Sequence, residues 1–372
     1  GWFADRSEPR LDAWLDLVAL GTVADLVPLD ENNRRLVHQG LARMRAGRLS
    51  PGLAALLEVA GRNLRHVDAA DLGFAAAPRL NAAGRLDDMS VGIRCLLADT
   101  EEEGWSLARS LDQLNAERQA IQADMQKEAE AQAKKLAAEL AEGNSENLKG
   151  MCVFNPAWHQ GVVGLVAGRL MERFQRPVIA FAPAEAGGDE LKGSARSPAN
   201  VHMRDLLVDI ASASPGLIER FGGHARAAGL SLGADRLDDF RDAMMAQLDS
   251  VEFSLEEVET DGVLEAQEVS VAVAEALAEA GPWGQAWPEP LFDGQFKVID
   301  RRIVGQSHLK LRLQSVGGGP VLDAIAFRAG ELCHQELPEP FHVTYRLEVN
   351  RFRGRVSAQL NIQHLVSEIS SS

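Results

Sequence analysis

Four short clusters in this sequence hold residues suited to phosphate or metal chemistry. Asp25 closes the run Gly21-Thr22-Val23-Ala24-Asp25, where a carboxylate after an apolar stretch can reach a hard divalent cation. An Asp in such a place also serves as a helix cap or turn former. In Pro78-Arg79-Leu80-Asn81-Ala82-Ala83-Gly84-Arg85, two arginines flank an amide and small residues. A guanidinium fork donates paired hydrogen bonds to a phosphate. The same spacing fits a helix with two surface arginines. Trp158-His159-Gln160-Gly161-Val162-Val163-Gly164 follows an apolar run, and Gly193-Ser194-Ala195-Arg196-Ser197 pairs hydroxyls with an arginine. A strand that ends in a polar turn and opens a helix offers unpaired N–H groups to an anion. His159 equally fits a helix cap. Gly222 and Gly223 precede His224, and two glycines permit a tight backbone approach to a ligand. The small residues after His224 suit a closely packed helix.

The elements that must position these residues are read from periodicity. Apolar spacing over 34–46 and 51–60 is helical, and the first hundred residues read as mostly helical. From Thr100 to Gly143 a capping-box start and a Gly-Asn stop enclose one uninterrupted pattern. A helix of about 40 residues spans about 60 Å and suits a strut between domains or a coiled-coil face. Met151–Phe154, Pro177–Ala182 and Lys192–Arg196 read as short strands, with helices at 161–174, 203–213 and 236–248. That alternation predicts an α/β domain with a partly parallel sheet. From about residue 288 the period becomes two, and five such stretches predict a small OB-type β-barrel.

Composition sets bounds on function. The 372 residues carry 38 Lys plus Arg against 54 Asp plus Glu, a formal charge of −16. Such a surface repels phosphate backbones on average and argues against a generic chromatin-like binder, while leaving room for a local basic groove. Residues 288–372 hold ten bases and nine acids, so positive charge is relatively concentrated there. In that region Lys310 and Arg312 share one strand face, and Arg351, Phe352 and Arg353 interleave charge with an aromatic ring. The pattern suits a groove for unpaired nucleic acid, and equally a salt-bridged strand face. The cysteines, Cys95, Cys152 and Cys333, form no CxxC pair, which fits a reducing, cytoplasmic setting.

Taken together and in order, ALGTVADLVPLDENNR, RLNAAGRL, HQGVVGLVAGRL, GSARS and GGHARAAG resemble the RecJ family of single-strand-specific exonucleases within the DHH phosphoesterase superfamily. The resemblance implies an α/β architecture in four parts. These are the end of a DHH catalytic domain (1–99), a long connecting helix (100–149), a DHH-associated substrate domain (150–250), and a linker with an OB-fold nucleic-acid-binding domain (251–372). It implies metal-dependent 5′→3′ hydrolysis of single-stranded DNA in repair and recombination, with two Mn²⁺ or Mg²⁺ ions. Asp25 matches a metal-ligand motif. Arg79, Asn81, Arg85, His159, Ser194, Arg196, Gly222, Gly223 and His224 match the nucleotide cleft. By family analogy the partners are single-stranded DNA, single-strand-binding protein and a helicase, with no membrane.

The sequence departs from the family in one respect. It contains no Asp-His-His run and starts at Gly1-Trp2-Phe3 without Met. The expectation is a chain that begins inside the catalytic domain, lacks most metal ligands, and is inactive or nearly so alone. Two alternatives stand beside it: a non-catalytic single-stranded-DNA-binding or scaffold protein, and a DHH-type oligonucleotide phosphodiesterase.

Overall fold

The structure is a computed structural model that describes residues 10–141, 149–185, 187–251, 253, 258–305, 307–327, 329–352 and 354–365. The helices before the first strand are α1 (Leu15–Ala24), α2 (Glu31–Arg45), α3 (Pro51–Val59), α4 (Ala69–Asp71), α5 (Ala77–Leu86), α6 (Ser90–Leu96) and α7 (Glu101–Ala141). A π-helical turn, Leu72–Ala76, links α4 to α5. Next come β1 (Met151–Phe154), α8 (Val163–Phe174), β2 (Val178–Pro183), β3 (Glu190–Arg196) and α9 (Met203–Ala213). They are followed by β4 (Arg220–Gly223), β5 (Ala227–Gly233), α10 (Leu237–Leu248) and α11 (Val271–Ala280). The chain ends in β6 (Phe292–Val304), β7 (His308–Ser315), β8 (Val321–Ala326), β9 (Phe341–Phe352) and β10 (Arg355–Leu365).

Two compact units result, one of Pro51–Ala60 with Pro78–Glu256, the other of Gly1–Ser50, Gly61–Ala77 and Glu257–Ser372. In the first, β1–β5 form a sheet of order β1-β2-β3-β5-β4, parallel only between β1 and β2. One face buries Ile179, Phe181, Leu191, Leu230 and Leu232 with Leu207 of α9 and Phe240 of α10. The other face buries Val153, Val178 and Ala180 with Val163, Val166 and Leu170 of α8 and Met125 and Ala129 of α7. The long helix is therefore packed along its length, its C-terminal half on α8 and β1, its N-terminal half on α3 and α6. Gly52 and Gly104 make the close approaches. A β-carbon on Gly52 would fall 1.6 Å from the Cys95 oxygen, and one on Gly104 would fall 2.9 Å from Pro51.

One element departs from expectation. The small residues after His224 form strand β5, paired on both sides, and not a helix. Ala228, Leu230 and Leu232 alternate inward, and that period of two is what the run of alanines hides. The edge strand β4 is likewise absent from the sequence reading.

In the second unit, β6–β10 close into a barrel of order β10-β8-β7-β6-β9 with β8 and β10 parallel, the OB arrangement expected. Its core holds Phe292, Leu311, Phe341 and Tyr345, and Ala274 and Leu277 of α11 pack against it. Elsewhere in this unit Asp30 caps α2 by accepting from Asn33 N at 2.8 Å. Leu29 N donates to Gln285 O at 2.7 Å, and Arg34 lies 3.9 Å over the Trp287 ring, which stacks on Trp283. Of the linker expected at the start of 251–372, residues 252 and 254–257 lie outside the described residues, while Asp261 N donates to Leu291 O.

Candidate nucleic-acid interface

The first unit carries an open pocket of about 560 Å³, lined by Gly84, Arg85, His159, Gln160, Gly161, Gly164, Ser194 and Arg196. Its lining holds two arginines and a histidine but no carboxylate, in a chain of net charge −16. These groups come from the last turn of α5, the turn between β1 and α8 with the first turn of α8, and the C-terminal end of β3.

Local geometry explains the residue types. Arg85 Nη1 donates to Gly161 O at 3.0 Å, fixing the turn to α5. Gly161 N donates to His159 Nδ1 at 3.1 Å, which leaves the ring proton on Nε2 as a donor. His159 thus braces a turn, while the N-cap of α8 is Val162, with no side-chain cap. Gly164 sits so close to β3 that a β-carbon would lie 2.9 Å from Ser194 Oγ and 3.0 Å from Arg196 Nη2. Gln160 Nε2 donates to Ala184 O at 3.0 Å.

Arg196 Nη1 donates to Ser194 Oγ at 3.1 Å and to its neighbour Ala195 O at 2.8 Å, both neutral acceptors. Burial, then the nearby Arg85 charge, pushes the Arg196 pKa down. Two guanidinium groups so placed repel each other, and an anion between them relieves the repulsion. The arrangement can hold a phosphate through two forks, a hydroxyl and an imidazole N–H.

The other expected residues fall in several places. Asn81 is exposed one helical turn before Arg85 on the same face of α5. Arg79 is turned away and ion-paired with Asp112 of α7 at 2.8 Å, its side chain 15% exposed. Gly222 pairs with Gly229 and Gly229 with Ser194, so one row of nearly bare backbone runs from the pocket wall to the sheet edge. Gly223 has φ +151°, and a β-carbon there would fall 2.4 Å from Ala228 Cα. His224 begins the turn into β5, with His224 N donating to Ala227 O at 2.8 Å, and it does not line the pocket. Gln160, Gly161 and Gly164 line it inside a motif that had drawn attention only to His159.

Asp25 is exposed at the C-cap of α1, and Leu26 after it has φ +52°. Among the described residues no group of three or more His, Cys, Asp or Glu side chains could hold a metal. The buried carboxylate nearby in sequence, Asp16, accepts from Ser50 N at 2.7 Å.

On the barrel, Lys310 Nζ donates to Gln359 Oε1 at 2.9 Å and lies 3.8 Å from Asp323. Arg312 is exposed but sits between Asp300 and Asp323 in register. Arg351 pairs with Glu275 at 2.8 Å. Arg353 and the Phe352 side chain lie outside the described residues. On the described part of this surface Lys310 and Arg351 each have an acidic neighbour, while Arg312 faces two acids in register.

Comparison with known proteins agrees with the two folds. A DHHA1 domain model matches residues 147–250, and a RecJ OB domain model matches 260–364. Single-stranded-DNA-specific exonuclease RecJ proteins of Dickeya dadantii and Escherichia coli are 51% and 48% identical to the chain over 98% of its length. The chain belongs to the RecJ family. It spans 63% of the length of each of those two RecJ proteins. The crystal structure of RecJ in complex with Mg²⁺ from Thermus thermophilus matches 97% of the chain at a TM-score of 0.78 and 29% identity, the chain covering 53% of it. The RecJ complex with Mn²⁺ from the same organism matches at 0.76 and 30%, with the chain covering 51% of it. No helix among the described residues is long and apolar enough to cross a membrane.

Proposed function

We propose that the pocket grips the phosphodiester backbone of single-stranded DNA for a metal-dependent 5′→3′ exonuclease of repair and recombination. The observation that carries this reading is the carboxylate-free lining of Arg85, His159, Ser194 and Arg196 in an otherwise acidic chain. The name shared by the relatives supplies substrate and reaction. The glycine row from Ser194 to Gly222 leaves room for a strand on the sheet, with His224 at its end. Single-strand-binding protein and a helicase are proposed partners on the family resemblance alone.

Mn²⁺ or Mg²⁺ is the proposed cofactor of the whole exonuclease. The described residues do not fit it: Asp25 is a single exposed carboxylate, and two hard cations need several oxygen or nitrogen donors. No hydrolytic step is therefore derived from this chain. The same donor set favours, as a second reading, binding without cutting.

Fluorescence anisotropy with (dT)20 and with a blunt duplex tests the first claim. Preferential binding of the single strand that weakens steeply with salt is expected, and Arg196→Met should weaken it at least about tenfold. Equal affinity for duplex, or no effect of Arg196→Met, contradicts the reading. Incubation with Mn²⁺ tests the second claim. Intact DNA is expected, and turnover abolished by Asp25→Ala refutes the assignment of hydrolysis to residues outside this set.

A further inference from the structure

Arg118 lies on α7, outside every motif that the sequence offered for phosphate or metal chemistry. Its side chain is half-buried, and two neutral amides hold it. Nη2 donates to Asn115 Oδ1 at 3.0 Å, and Nη1 donates to Gln122 Oε1 at 3.1 Å. Asn115 is itself only 3% exposed. Arg118 Nε is buried with no hydrogen-bond partner among the described residues. No described carboxylate pairs with this cation. A half-buried charge held only by neutral groups is costly unless something else supplies the opposite charge.

Its surroundings are basic as well. One turn beyond Arg118, Ile121 packs against the cluster that holds Val162, Val163 and Val166 at the start of α8. The turn just before that start carries the Gly161 carbonyl that accepts from Arg85. Arg169 stands on α8, and its one described acidic contact is an exposed i,i+3 approach to Glu172 at 3.4 Å. Burial, then the charges of Arg85 and Arg169, pushes the Arg118 pKa down, just as Arg85 presses on Arg196. Arg85 is thus a charged neighbour of both Arg196 and Arg118, and Arg169 is a further neighbour of Arg118.

We propose that Arg118, with Arg169, forms a second phosphate subsite, which binds the phosphodiester next to the one held by Arg85, Ser194 and Arg196. This rests on the reading of the pocket as a single-strand site. Asn115 and Gln122 hold the guanidinium in place while leaving the second N–H of Nη1 and of Nη2 for phosphate oxygens. Two consecutive phosphates gripped in one row would fix the strand's register, which one phosphate cannot do.

The test measures (dT)12 binding by the full chain across a salt series, for the parent and for Arg118→Met, Arg118→Lys and Arg196→Met. Arg118→Met is expected to bind about tenfold more weakly at low salt. Its log–log salt slope should be shallower by about 0.7, the value of one lost phosphate contact on a single strand. Arg118→Lys, which keeps the charge, should restore the slope. An unchanged slope for Arg118→Met beside a clear loss for Arg196→Met overturns the second subsite alone. A weaker Arg118→Met with the parental slope and a lowered melting temperature assigns Arg118 to folding and also overturns it. A parent chain that fails to bind, or an Arg196→Met without effect, removes the single-strand reading itself.

Discussion

Gly161→Ala tests the geometry of the pocket at its tightest point. The added methyl carbon would lie 2.6 Å from the Arg85 backbone oxygen and 3.1 Å from the His159 ring. The carbonyl belongs to α5 and cannot swing aside as a side-chain end would, so the 159–162 turn must move. That movement stretches Arg85 Nη1 to Gly161 O and Gly161 N to His159 Nδ1, the two bonds that tie the turn to the pocket. Overpacking of this kind costs about 1–3 kcal/mol. At about 2–4 °C per kcal/mol for a unit of this size, the melting temperature should fall by about 2–12 °C. Gly168, on α8 close by in sequence, is the matched control. A methyl group there meets nothing within 4 Å, and alanine in a helix is favoured over glycine by about 0.8–1.0 kcal/mol. Gly168→Ala should therefore raise the melting temperature by about 2–4 °C. Scanning calorimetry reads the opposite signs. Anisotropy with (dT)12 should show Gly161→Ala about tenfold weaker and Gly168→Ala unchanged. A Gly161→Ala variant that melts and binds like the parent refutes the reasoning.

Other outcomes follow from charges and rings. Burial pushes the Glu289 carboxyl up to about 7, with Arg346 opposing and Glu348 and Asp68 adding to the shift. The folded chain then holds this proton more tightly than the unfolded one. The resulting stability is full below about pH 4.5 and lost as pH rises through 7, on the order of 3 kcal/mol. Denaturant titrations at several pH values should show that decline for the parent and a flatter profile for Glu289→Gln. Trp287→Ala removes the ring under Arg34 and its stack on Trp283, and should lower stability by about 2 kcal/mol in the same titrations. Arg79→Ala breaks the pair with Asp112 and should destabilise by about 1–3 kcal/mol. Its (dT)12 affinity, measured well below melting, should stay within about twofold of the parent.

The sequence made the barrel, the long helix and three strands of the sheet legible because each has an unmixed period. It hid β5, since alanines and glycines pattern weakly on hydrophobicity, although Ala228, Leu230 and Leu232 do alternate. The motifs around His159, Ser194 and Arg196 led to the pocket because backbone constraints at Gly161 and Gly164 require those glycines. Arg79 and Arg85 looked equivalent in one motif, yet six residues on a helix turn them to different faces, while Asn81 and Arg85, four apart, share one. The acid partners of the barrel cations were illegible for another reason. Asp323 for Lys310 and Glu275 for Arg351 come from another strand and a helix, and only the fold brings them together. Arg118 had no local signal at all, because one arginine among the many charges of a solvated helix looks like its neighbours.

The account depends on backbone charge being what the pocket holds, and one comparison isolates that charge. Binding of a phosphodiester (dT)12 should be measured against a (dT)12 whose linkages are uncharged methylphosphonates, at equal ionic strength. The account predicts tight, salt-sensitive binding of the first and at least about a hundredfold loss for the second. Equal affinity for both oligonucleotides would contradict it.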